Sequence, residues 1–151
     1  MADGSQGGPK LTPGEILIAV GALVTLVFSF FHFYTTPSVS IRGFSVGGGG
    51  TSAWGSGLVP TVTLIVFFTL IMGLQVALSK LANVDLGPGI AGLTWPQIHL
   101  ALGFFAVIDT LAFLVVDKGP LGVGVGLIFM LIGSVACFVG AILLANERAK
   151  A

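Results

Sequence analysis

The chain has 151 residues, of which 55% are apolar and only 8% charged, against about 25% charged in an average soluble domain. That balance excludes a water-soluble monomer, and the long apolar blocks point to an all-α protein whose partner is the lipid bilayer. Six basic and six acidic side chains cancel without forming a basic patch, which excludes a nucleic-acid partner.

Residues 1–11 are small and polar and are expected to form a disordered cytoplasmic tail. "TPGE" follows. Thr12 can cap a helix, Pro13 suits its first position, and Glu15 sits three residues after the cap, which makes a capping box. A first apolar helix is predicted over 15–34, long enough to span a bilayer. The small-x-small "SVS" at 38–40 raises a cleaved signal peptide, but the apolar block is too long and too rich in Phe at its end.

Residues 35–59 read as the longest loop, made flexible by Gly47–Gly50. A second helix is predicted over 60–78 and a third over 96–116, joined by a loop at 79–95. "DKGP" is a tight turn, and a fourth helix covers 121–145. The expected architecture is four transmembrane helices packed as a bundle, spanning a domain over 12–146, with a cytoplasmic tail over 147–151. The glycine-rich loop between the first two helices then faces away from the cytoplasm.

Orientation follows the lysines and arginines of the connections. One side would hold Lys10, Lys80, Arg148 and Lys150; the other would hold Arg42 and Lys118. Four against two places both termini in the cytoplasm of a multi-pass plasma-membrane protein.

Three segments, "FSFFHFY", "SAWGSGLVP" and "LANVDL…GLTWPQIHLALGFFA", resemble a group of small four-span membrane proteins of actinobacteria. The resemblance covers most of the chain from about residue 12. It implies the four-span plasma-membrane layout and carries no catalytic or ligand residue.

In lipid, helices associate through small residues and a few polar contacts. Gly119, Gly126, Gly133 and Gly140 recur every seven residues, with Cys137 and Ala141 beside them, so one face of the fourth helix is smooth. Gly126, Gly133 and Gly140 are the predicted helix-packing residues. "GVGVG" at 122–126 reads poorly as a phosphate loop, because no strand precedes it and no Lys-Ser/Thr pair follows. Thr69, Gly73 and Ala77 make a small stripe on the second helix.

One acid interrupts the spans: Asp109, in "AVIDTLAF". A charge near the bilayer centre costs at least about 2.5–3.5 kcal/mol, so this carboxyl must be neutral or hydrogen-bonded. The first and third helices run the same way through the membrane. Thr25 and Ser29 are therefore expected near its depth, with His32 farther toward the outer face. Asp109, Ser29, Thr25 and His32 form the candidate intramembrane polar site. The preferred role is a polar lock between the two helices, because a proton or ion path would need polar groups through the cytoplasmic half, where only His99 and Gln75 stand out.

His32 and His99 sit near opposite interfaces and cannot share a metal, and Trp54 and Trp95 suit the aromatic belt. Cys137 cannot form an internal disulfide. No H-E-x-x-H, G-x-S-x-G or C-x-x-C motif occurs, and no cofactor is expected. The sequence therefore reads as a non-enzymatic accessory or scaffold subunit of a cell-envelope complex, with a membrane-protein partner or a homo-oligomer in view. The alternative is a transporter or channel subunit using Asp109 for proton or ion coupling.

Overall fold

The computed structural model describes residues 10–55, 60–117 and 119–149. Residues 1–9 of the tail expected over 1–11, residues 56–59 of the loop expected over 35–59, Lys118 of the "DKGP" turn and the last two residues of the tail expected over 147–151 lie outside them. The chain is mostly helical, in the order α1 (Pro13–Phe28), β1 (His32–Ile41), β2 (Phe44–Ser52), α2 (Thr61–Lys80), β3 (Gly89–Ile90), β4 (Leu93–Thr94), α3 (Trp95–Val115), β5 (Gly122–Val123) and α4 (Val125–Ala149).

The α1 capping box forms as expected. Thr12 N donates to Glu15 Oε2 at 2.9 Å and Glu15 N donates to Thr12 Oγ1 at 3.3 Å. Thr94 and Gln97 make the same box at the start of α3, with Pro96 in its first turn. These two caps answer the amides that a helix start leaves open.

Three helices, α2, α3 and α4, are long and apolar enough to cross a membrane. The predicted first helix is shorter than expected. It ends at Phe28 rather than at residue 34, and its 16 residues reach about 24 Å at 1.5 Å per residue. The run after it, Phe30 to Tyr34 followed by Thr35 and Thr36, is aromatic and β-branched, which suits a pleated strand better than a helix. α4 is displaced from the predicted span, starting at Val125 and ending at Ala149. Gly119 consequently lies in a turn with φ 57°, outside the helical stripe.

The segment expected to be a flexible loop is a sheet. β1 and β2 pair antiparallel over their length, and β5 pairs with the base of β1, giving the order β2-β1-β5. Arg42 and Gly43 form the two-residue turn, with φ of 51° and 84°. Positive φ at both central residues gives a turn whose twist matches that of the strands. The glycines thought to loosen the loop are in the ladder: Gly47 faces Ser38, Gly49 faces Thr36 and Gly50 faces Thr35. Gly50 leaves room for the ring of His32, which a Cβ there would strike. A smaller hairpin, β3–β4, likewise interrupts the 79–95 connection.

In the bundle, α4 packs on α1 and α3, and α2 packs on the same two helices. α1 and α3 sit diagonally and do not pack against each other. Two apolar clusters fill the interior. One holds Ile18, Ala22, Met72, Val76, Cys137 and Ala141. The other joins Val62, Val66, Ala106, Leu127 and Met130 to Phe33, Tyr34 and Ala53 at the base of the sheet. The sheet is thereby continuous with the bundle core.

The α1–α4 seam carries the glycine stripe, and α1 answers it with glycines of its own. A Cβ on Gly140 would lie 2.7 Å from the Gly14 carbonyl oxygen, and one on Gly133 would lie 2.7 Å from that of Gly21. Built from the α1 side, Cβ atoms on Gly14 and Gly21 would sit 2.8 and 2.6 Å from the carbonyl oxygens of Gly140 and Gly133. Two seven-residue repeats thus face each other in antiparallel helices, backbone to backbone. Gly126 extends the stripe to the carbonyls of Phe28, Phe31 and His32. On the neighbouring seams, Gly103 of α3 meets the Phe138 backbone and Gly73 of α2 meets Ala22.

Candidate functional site

Asp109 does not meet the residues expected to hold it. Thr25 Oγ1 donates to the Gly21 carbonyl at 2.9 Å, on its own helix, and faces Gly133 of α4. Ser29 Oγ donates to the Leu26 carbonyl at 2.6 Å and accepts from Trp54 Nε1 at 2.9 Å. His32 is an exposed residue of β1 beyond the end of α1. The diagonal placement of α1 and α3 keeps all three away from Asp109. The residue of α3 that faces inward is its neighbour Thr110, fully buried, which donates to the Ala106 carbonyl at 2.6 Å and lies 3.4 Å from Ser134 of α4. One residue along a helix turns the side chain by about 100°, so with Thr110 inward Asp109 turns away from the core.

Asp109 lies six residues before the end of α3 at Val115, about 9 Å inward along the axis. It is half-buried in a groove of about 200 Å³ that it lines with Thr61, Ala112, Phe113 and Val116. The groove sits where α2 begins and α3 ends. α2 starts there without a side-chain cap, because Pro60 occupies the cap position and Thr63 Oγ1 donates back to the Pro60 carbonyl at 2.6 Å. Among the described residues no group hydrogen-bonds to the Asp109 carboxyl.

A second polar place lies at the opposite end of the bundle. Lys80, at the end of α2, reaches Glu15, at the start of α1, at 3.2 Å. Glu15 is buried, so its charge is met from two sides, by the Thr12 amide and by this ammonium. Gln75, Ser79, Asn83, Asp85 and Trp95 share the surrounding cleft of about 340 Å³. A cap is all that the sequence announces for Glu15; the signal for the ion pair is that residues 15 and 80 fall on the same side of the four-span layout expected from the sequence. His99 is buried near Trp95, with ring centroids 6.3 Å apart.

The third feature is the hairpin. Strand alternation and the Val39–Val46 and Ile41–Phe44 pairings put these four side chains on one face. All four are exposed, Phe44 to 77%. Ser40 and Ser45 pair on the other face, 3.3 Å apart. The base of the sheet is tied down. Gly124 N donates to the Phe33 carbonyl at 2.9 Å, Ala53 N to that of Ser29 at 3.1 Å, and Tyr34 OH to that of Phe113 at 2.8 Å. Burial pushes the Tyr34 phenol above its ordinary value of 10.0, which keeps it a neutral donor. Trp54 adds its bond to Ser29 and a stacked contact with Phe30.

Comparison with protein-family models, with curated proteins and with solved structures finds no match. The functional reading therefore comes from these residues themselves. Among the described residues no three His, Cys, Asp or Glu side chains converge on a point.

Proposed function

We propose that this chain is a non-enzymatic four-span plasma-membrane protein that acts as an accessory or scaffold subunit of a cell-envelope complex. The observation that carries the reading is the hairpin, an apolar surface held outside the bundle on a base tied to α1, α3 and α4. Contiguous exposed apolar residues rimmed by polar ones mark interaction sites. Its occupant is an extracytoplasmic segment of another envelope protein, with an acidic group opposite Arg42, the single charge between His32 and Ser52. α1 crosses as the fourth span, its short length completed by Ser29 and by Phe30 and Phe31, which are exposed where an aromatic belt would lie.

Both termini are placed in the cytoplasm by the basic residues. A cysteine at Ser45, in the hairpin, should react with an impermeant thiol reagent on intact cells, whereas one at Ser5 should react only after lysis. The reverse pattern would invert the topology. The scaffold role is tested by Ile41→Ser combined with Phe44→Ser. Both sites are exposed, so the thermal midpoint should stay within the equivalent of about 0.5 kcal/mol. In gentle detergent the wild type should migrate in a high-mass complex on native gels, and the double variant should be released from it. Unchanged migration of the variant, or a wild type that runs alone, would remove the hairpin from the function.

A further inference from the structure

We infer that the outer end of α3, centred on Asp109, is a docking face for a transmembrane helix of another protein that carries one arginine or lysine in the outer third of its span. This rests on the scaffold reading above and names the intramembrane part of its contact. Three observations carry it. The Asp109 carboxyl has no hydrogen-bond partner among the described residues and opens into a groove whose other side chains, Thr61 apart, are apolar. The groove adjoins the start of α2, whose first turn carries no side-chain cap. The neighbouring surface of α3 is bare: Phe105, Ile108 and Val115 are exposed, and α3 is the least buried of the three long apolar helices.

An acid inside a membrane pairs with a cation or faces water. A guanidinium matches a carboxylate with two parallel N–H donors, and either basic side chain can run its apolar stem along the groove. Among the described residues a second copy of the chain offers no cation at this depth. Of the described basic side chains, Lys10 and Lys80 lie at the other end of the bundle. Arg42 sits in the hairpin turn. The occupant is therefore a different protein, read by the charge of one side chain at one depth.

The test uses the full chain in phosphatidylcholine vesicles, with an acceptor dye on a cysteine at Val115. Three donor-labelled leucine-alanine helices are added, identical except for Arg, Leu or Glu six residues from one end. Energy transfer should show the Arg helix binding at least tenfold tighter than the Leu helix, with the Glu helix no better than Leu. Asp109→Asn, which keeps the shape, should cut the Arg preference to about threefold or less, and Asp109→Leu should abolish it. Each variant's thermal midpoint is measured alongside. If Asp109→Leu does not fold, the asparagine variant decides. Equal binding of the three helices, or an Arg preference that survives in a folded Asp109 variant, would overturn the proposal. The Ile41→Ser, Phe44→Ser protein should keep the full Arg preference, so failure of the hairpin reading and failure of this one are separately visible.

Discussion

Gly133→Leu should abolish folded yield, and Gly133→Ala should lower the thermal midpoint by the equivalent of about 1–3 kcal/mol, the usual cost of forcing volume into a packed core. The reason is backbone against backbone. A Cβ at this position collides with the Thr25 hydroxyl and sits 2.7 Å from the Gly21 carbonyl oxygen and 3.0 Å from the Thr25 nitrogen. The Thr25 hydroxyl is itself anchored to Gly21, so it cannot swing aside without losing its bond. The only relief is separation of α1 from α4, and the reciprocal glycines at 14 and 140 oppose that. Ile132→Leu is the control. Ile132 is exposed on the adjoining face, and that change should leave the midpoint unmoved. Differential scanning in detergent compares the three variants. Equal behaviour of Gly133→Ala and Ile132→Leu would mean that the two helices do not approach as closely as their glycines allow.

Gly124→Leu should free the sheet from the bundle while leaving the spans folded. A Cβ on Gly124 would overlap the His32 carbonyl, at the point where Gly124 N bonds to Phe33. Gly124 precedes α4, whose first residue is Val125, so the chain can yield there without breaking the helix. Losing this tie should also weaken the two-residue β1–β5 ladder at Tyr34 and Thr35. Hydrogen exchange should then show the β1 amides exchanging about 10–100-fold faster, since each factor of ten corresponds to about 1.4 kcal/mol of lost opening energy. Amides within α2 and α4 should keep their protection. If the helices lose protection together with the sheet, the two units unfold as one, and the hairpin is part of the folding core rather than a surface carried by it.

Composition and periodicity determined the apolar class, the second and third helices to within about two residues, and the α1 capping box that Thr12 and Glu15 announced; the Thr94–Gln97 box of α3 needed the structure. The seven-residue glycine spacing identified the α4 packing face from 126 to 140, because a repeat of about two helical turns keeps one side free of side chains whatever lies opposite. Periodicity is a property of one helix and says nothing about its neighbours. The partner of the stripe, the matching Gly14 and Gly21, needed the tertiary structure. The sheet was missed for a related reason. "SVSIRGFSV" alternates small polar and apolar residues around a two-residue turn, yet four consecutive glycines obscured the second strand; a glycine strand has little preference of its own and is held by the ladder to β1. Asp109 shows the limit most plainly. Sequence alone placed it within the third helix and gave the cost of leaving it alone. Whether it pointed to the core or away depended on which residue of α3 the other helices bury, and the bundle order, with α1 and α3 on a diagonal, gave that place to Thr110.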